Sequence, residues 1–120
     1  MNKILIAEDE VRIATFIEKG LRKNGFLTAV ASDGKQALQM ASNKEFTLLL
    51  LDLGLPIKDG WSVLQELRSQ DKVLPIILLT AMNDERHCTI AFNLGANAYV
   101  NKPFRFSDLL EKINLYLENT

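Results

Sequence analysis

Short apolar runs alternate along the chain with longer stretches whose apolar residues recur at helical spacing, the pattern of parallel strands joined by helical crossovers. Five such units are predicted. The strand runs are Lys3–Ala7, Leu27–Ala31, Phe46–Leu51, Pro75–Leu79 and Ala98–Asn101. Phe46–Leu51 and Pro75–Leu79 show no polar alternation, which suits central strands covered by helices on both faces. The first helix carries Val11, Phe16, Ile17 and Leu21 and stops at Asn24-Gly25. Asp33-Gly34 opens the second, with Ala37, Leu38 and Ala41 inward, and the third starts near Gly60 with Val63, Leu64 and Leu67 inward. The fourth runs from about Asn83 to Gly95 with Ile90 and Leu94 inward, and the fifth enters at Phe106 or Ser107 with Leu109, Leu110, Ile113 and Leu117 as its stripe. No repeat, low-complexity tract or linker interrupts the pattern, so residues 1–120 are expected to form one α/β domain, a doubly wound five-stranded parallel sheet with five helices.

Composition sharpens this picture only in part. With 120 residues and 48% hydrophobic content, the chain is long enough for one proper core. Its 14 basic and 15 acidic residues nearly cancel, so no overall field favours nucleic acid or an anionic membrane. Any electrostatic function must be local. Cys88 cannot form an intramolecular disulfide, the N-terminus lacks signal-peptide order, and the longest apolar run, Leu48 to Leu51, falls far short of the roughly 20 residues needed to cross a bilayer. A cytoplasmic protein is expected.

In an open parallel sheet, ligands bind beyond the carboxyl ends of the strands. The residues leaving the first, third, fourth and fifth runs are Glu8-Asp9, Asp52, Thr80 and Lys102. Three carboxylates gathered there repel one another, and a hard divalent cation such as Mg²⁺ relieves that repulsion while keeping waters and phosphate oxygens in its shell. Lys102 brings the formal charge to about zero, leaving a site able to receive a phosphoryl group. Each residue alone has a plainer reading: Glu8-Asp9-Glu10 and Thr80 as helix caps, Asp52 as a turn residue, Lys102 as a solvated charge. The joint pattern favours chemistry. His87 and Cys88 are helix neighbours and do not converge on one ligand. Trp61 is expected to pack at the start of the third helix.

These residues carry a resemblance to the response-regulator receiver family of two-component systems, most like receivers that precede a winged-helix DNA-binding domain. The matching segments are Ile4–Glu10, Leu50–Pro56 with Asp59-Gly60, Leu79-Thr80-Ala81, and Gly95-Ala96 leading to Tyr99 and Lys102-Pro103-Phe104. The resemblance implies a flavodoxin-like strand order of second-first-third-fourth-fifth, with Glu8, Asp9, Asp52 and the Gly54 carbonyl oxygen holding Mg²⁺, for which Mn²⁺ can substitute. It implies a catalytic set of Asp52 as phosphoacceptor, Lys102 as its phosphoryl contact and Thr80, with Thr80 and Tyr99 also forming a switch pair, and a cis Lys102–Pro103 bond. The partner is then a sensor histidine kinase or phosphotransfer protein. The chain would catalyse its own phosphorylation and autodephosphorylation without being a turnover enzyme, and would control transcription through an effector domain that residues 1–120 do not contain. A stand-alone receiver acting by protein–protein contact, or a degenerate scaffold, is the alternative.

Several positions depart from the family pattern. The acidic pair is Glu8-Asp9 where many relatives have two aspartates, and Gly54 and Met82 stand where family side chains overlook the phosphorylated site. Asn97 and Ala98 replace the acidic residues that would meet basic residues such as Lys112 across a dimer, so a monomer, or a weak dimer on phosphorylation, is expected. Two rivals fail on their motifs: a nucleotide or flavin module needs a Gly-rich loop where Glu8-Asp9-Glu10 stands, and a haloacid-dehalogenase-like phosphatase needs an acid at Gly54.

Overall fold

In the computed structural model, which describes residues 2–71, 73–81 and 85–118, the elements follow one another as β1 (Lys3–Ala7), α1 (Val11–Lys23), β2 (Leu27–Ala31), α2 (Gly34–Ala41), β3 (Leu48–Asp52), α3 (Gly60–Gln70), β4 (Ile76–Thr80), α4 (Glu85–Asn93), β5 (Ala98–Asn101) and α5 (Phe106–Glu118). All strand pairs are parallel and the sheet order is β2-β1-β3-β4-β5. The doubly wound, flavodoxin-like expectation holds. Met82 and Asn83, the latter expected to begin the fourth helix, lie outside the described residues.

The period-two geometry of the strands sorts the apolar runs onto two faces. Leu49, Leu51 and Leu78 pack with Ala37 of α2, Val63, Leu64 and Leu67 of α3 and Ala91 of α4. Leu48, Leu50, Ile77 and Leu79 pack on the other side with Ile17 and Leu21 of α1 and Leu109 and Ile113 of α5. This two-sided burial is why β3 and β4 show no polar alternation.

Local signals end the helices where expected. Gly25, at φ 86°, closes α1 with its N–H on the Arg22 carbonyl. Asp33 and Asp59 cap α2 and α3 by accepting from the Gln36 and Ser62 N–H groups.

The bounds of two strands and the inward residue of α4 need correction, and α1 shows its own face. β3 and β4 start and end later than Phe46–Leu51 and Pro75–Leu79, because an apolar run marks burial and not the ladder: Phe46 is buried ahead of the strand. The inward face of α1 is Ala14, Ile17 and Leu21, while Val11 and Phe16 are exposed. Phe16 instead meets the rings of Phe104 and Phe106 at 6.4 and 6.0 Å. In α4 the inward residue is Ala91, and Ile90 is half exposed. Among the described residues, no helix is long and apolar enough to cross a membrane.

Candidate functional site

Each candidate residue sits at the carboxyl edge of the sheet, held by backbone bonds that prolong the ladder. Glu8, directly after β1, donates its N–H to the Ala31 carbonyl at 3.0 Å. Asp52 is the last residue of β3, and the next N–H, of Leu53, reaches the Leu79 carbonyl at 3.2 Å. Thr80 ends β4, and its carbonyl accepts from the Lys102 N–H at 2.7 Å. Lys102 follows β5 and precedes a cis bond to Pro103, as the resemblance implied. The side chains of Glu8, Asp52 and Thr80 are all buried.

Glu8, Asp9 and Asp52 each offer a carboxylate oxygen within 4.8 Å of the others, the one such acidic, histidine or cysteine group among the described residues. The Lys102 ammonium lies 2.7 Å from Glu8 Oε1 and 3.4 Å from Asp52 Oδ1. Glu8 Oε2 accepts from the Glu10 N–H at 3.2 Å. Burial above all, with the Asp52 charge adding to it, pushes the Glu8 carboxyl up to about 7 against the hydrogen bonds from Lys102 and the Glu10 N–H and the Lys102 charge. Burial pulls the Lys102 ammonium down, but its hydrogen bond to Glu8 and the Asp52 and Glu8 charges outweigh that and raise it. Three acids against one ammonium leave negative charge where two of the acids, Glu8 and Asp52, are buried, and all the donors are hard oxygens. A small divalent cation fits this set.

The plainer readings fare differently. Glu10 stands at the N-cap of α1 without a side-chain capping bond, and Glu8 is turned into the site. Lys102 is paired and largely covered, not a solvated charge. Thr80 and Tyr99 line one small pocket with Leu53, Trp61, Cys88 and Ala91, and the Tyr99 ring also meets Phe92 at 5.9 Å. Trp61 packs against the core and stacks obliquely on His87 at 6.3 Å.

Gly54 donates its N–H to Asp52 Oδ1 at 3.1 Å. A Cβ at this position would meet only that oxygen, at 3.9 Å, so the missing side chain leaves open space over the carboxylate. Gly60 is a residue whose role sequence reasoning missed. A Cβ there would fall 2.5 Å from the Asp52 carbonyl oxygen and 2.6 Å from Leu53 Cα, so α3 begins in direct contact with the backbone that carries Asp52. The signal was the Asp59-Gly60 pair, in which the acid caps the helix and the glycine admits the strand.

Comparison with known proteins agrees with this geometry. The family described as "Response regulator receiver domain" matches residues 4–114. The transcriptional regulatory protein CusR of Escherichia coli K12 is 37% identical over 115 residues, covering 96% of this chain and 51% of that protein. The chain therefore spans about half the length of the curated relatives it matches. The Francisella response regulator 1452 receiver domain superposes with a TM-score of 0.93 at 32% identity over 100% of both chains. The receiver domain of the sensor histidine kinase PA1611 of Pseudomonas aeruginosa PAO1, solved with a magnesium ion coordinated in its active-site cleft, does so with a TM-score of 0.89 at 32% identity over 98% of both. With sheet order, acidic cluster and lysine all in agreement, the chain belongs to the response regulator receiver domains, the phosphoryl-accepting modules of two-component signalling.

Proposed function

We propose that Asp52 is the phosphoacceptor and that Glu8, Asp9, Asp52 and the Gly54 carbonyl oxygen hold Mg²⁺, or Mn²⁺ in its place. The observation that carries this reading is the meeting of three carboxylates within 4.8 Å with an ammonium bridging two of them. When bound, the cation supplies positive charge for the incoming phosphoryl oxygens. An Asp52 oxygen attacks phosphorus in line, an O–P bond forms, and the P–N bond to a partner's phospho-histidine breaks with the electron pair leaving on the imidazole. Lys102 meets the equatorial oxygens, and the Gly54 N–H keeps the carboxylate oriented. Water entering over Gly54 reverses the modification by hydrolysing the acyl phosphate.

The Thr80 hydroxyl then turns to the phosphoryl group, freeing space into which Tyr99 moves and biasing the surface of α4 and β5 between two states. A sensor histidine kinase or phosphotransfer protein in the cytoplasm supplies the phosphoryl group. Because relatives such as CusR are transcriptional regulatory proteins about twice as long, the output is control of transcription through an effector domain. Intact-mass analysis with acetyl phosphate tests the acceptor: one phosphoryl mass appears with Mg²⁺, disappears with chelator and is absent from Asp52→Asn. Undiminished labelling of that variant would place the nucleophile elsewhere.

A further inference from the structure

The loop that leads from Asp52 to α3 is gripped from the side by the start of α2. Gly34 donates its N–H to the Pro56 carbonyl at 3.1 Å, and Lys58 donates to the same oxygen at 2.8 Å. The second bond closes a three-residue turn around Ile57, whose φ of 71° is a left-handed value that β-branched residues rarely take. Gly34 is buried, and a Cβ there would fall 1.6 Å from the Lys58 carbonyl oxygen and 2.5 Å from its carbon. Helix end and loop thus meet backbone to backbone, with no flexible side chain between them to yield. Asp33 anchors that helix end by accepting from the Gln36 N–H at 2.7 Å.

The same loop begins with the contact that orients the acceptor, the Gly54 N–H on Asp52 Oδ1. One residue, the buried Leu55, separates Gly54 from Pro56. The turn at Pro56–Lys58 is therefore joined to Gly54 through a single intervening residue. We propose that Gly34 is a positioning residue for phosphoryl transfer: it seats the turn around Ile57 and, through Gly54, holds the Asp52 carboxylate in its reactive orientation. The proposal rests on the reading of Asp52 as acceptor, and Gly34 itself touches no reacting atom. Displacements of about an ångström at a distance can cost catalysis about a hundredfold.

The test compares Gly34→Ala and Asp33→Ala with Ile17→Val, a core change on the opposite face of the sheet, in the full chain. Two quantities are read: the amide chemical shift of Gly54 without phosphodonor, and the rate of labelling by acetyl phosphate at saturating Mg²⁺. Gly34→Ala is expected to move the Gly54 amide and slow labelling about tenfold or more. Asp33→Ala acts in the same direction but less. Ile17→Val leaves the Gly54 amide in place and labelling within about twofold, whatever it does to the unfolding midpoint. A folded Gly34→Ala with an unmoved Gly54 amide, or with labelling slowed no more than in Ile17→Val, overturns the proposal. Should Gly34→Ala not fold, Asp33→Ala decides by the same criteria. Should the parent protein take no label on Asp52, that reading falls, while the Gly54 amide still reports whether Gly34 seats the loop.

Discussion

Lys102 stands nearer to Glu8 than to the proposed acceptor: its ammonium is 2.7 Å from Glu8 Oε1, against 3.4 Å from Asp52 Oδ1. The lysine thus neutralises the most deeply buried acid of the cluster and is shared with Asp52. By charge alone, an ammonium in this position is expected to weaken the binding of a divalent cation and to favour an incoming phosphoryl group.

This double role predicts opposite changes from one substitution. Lys102→Ala removes a positive charge beside the carboxylates, so the affinity for Mg²⁺ should rise by about tenfold. Labelling of Asp52 should fall by about a hundredfold or more, because the phosphoryl oxygens lose their ammonium. A Mg²⁺ titration followed by Trp61 fluorescence and a labelling time course measure the two effects. A loss of metal affinity would contradict the charge argument.

Thr80→Ala separates chemistry from switching. Thr80 is buried beside the space it shares with Tyr99, whereas the acidic cluster and Lys102 remain intact without it. The variant should label within about threefold of the parent. Its amide shifts on adding beryllofluoride should be confined to the acceptor loop and be absent from α4 and Tyr99. Full shifts in those regions would break the proposed coupling.

Asp71 supplies a pH dependence remote from the site. Its Oδ1 accepts from the Val73 and Leu74 N–H groups at 2.8 and 3.1 Å. The Val73 bond above all, with Leu74 and the charges of Arg68 and Lys44, holds the Asp71 carboxyl below the usual aspartate range against the opposing effect of burial. Between its folded and unfolded pKa values the unfolded chain binds more protons. The stabilisation is therefore complete above the ordinary aspartate pKa and is lost as pH falls through the lower, folded value. Asp71→Asn should cost about 1 kcal/mol at neutral pH. In urea unfolding series, the gap to the parent should narrow as the pH drops below about 4. A gap independent of pH would exclude the ionised carboxylate as its source.

Asn97 bears on assembly. Its Oδ1 accepts from the Ile76 N–H at 2.8 Å and from Arg68 Nη2 at 3.0 Å, and its carbonyl accepts from the Tyr116 hydroxyl at 2.7 Å. The side-chain oxygen is thus engaged within the domain. Sedimentation velocity should show a monomer without phosphodonor and a weak, salt-insensitive dimer with Mg²⁺ and beryllofluoride, since exposed ion pairs worth about 0–1 kcal/mol each are missing. Asn97→Asp should not tighten that dimer, because the new acid would meet Arg68. A tight dimer weakened by salt would refute this account.

The amino-acid sequence determined by itself the order and layering of the elements and which residue types gather at the strand ends. Apolar runs without polar alternation required two covering layers, helical spacing required crossovers, and the charged residues after the runs had to converge because parallel strands all end on one edge. It left undetermined whatever depends on which atoms meet across long separations. Ile90 and Ala91 both suit a helix, but only docking of α4 on the sheet selects the smaller as the buried one. Asn97 reads as a lost interface acid until Arg68 and Ile76 are brought to it. The Asp-Gly pairs announce helix starts. That Gly34 must be bare for the Lys58 backbone, and Gly60 for that of Asp52, follows only once the chain has closed on itself, because steric exclusion acts between atoms in space and not along the sequence.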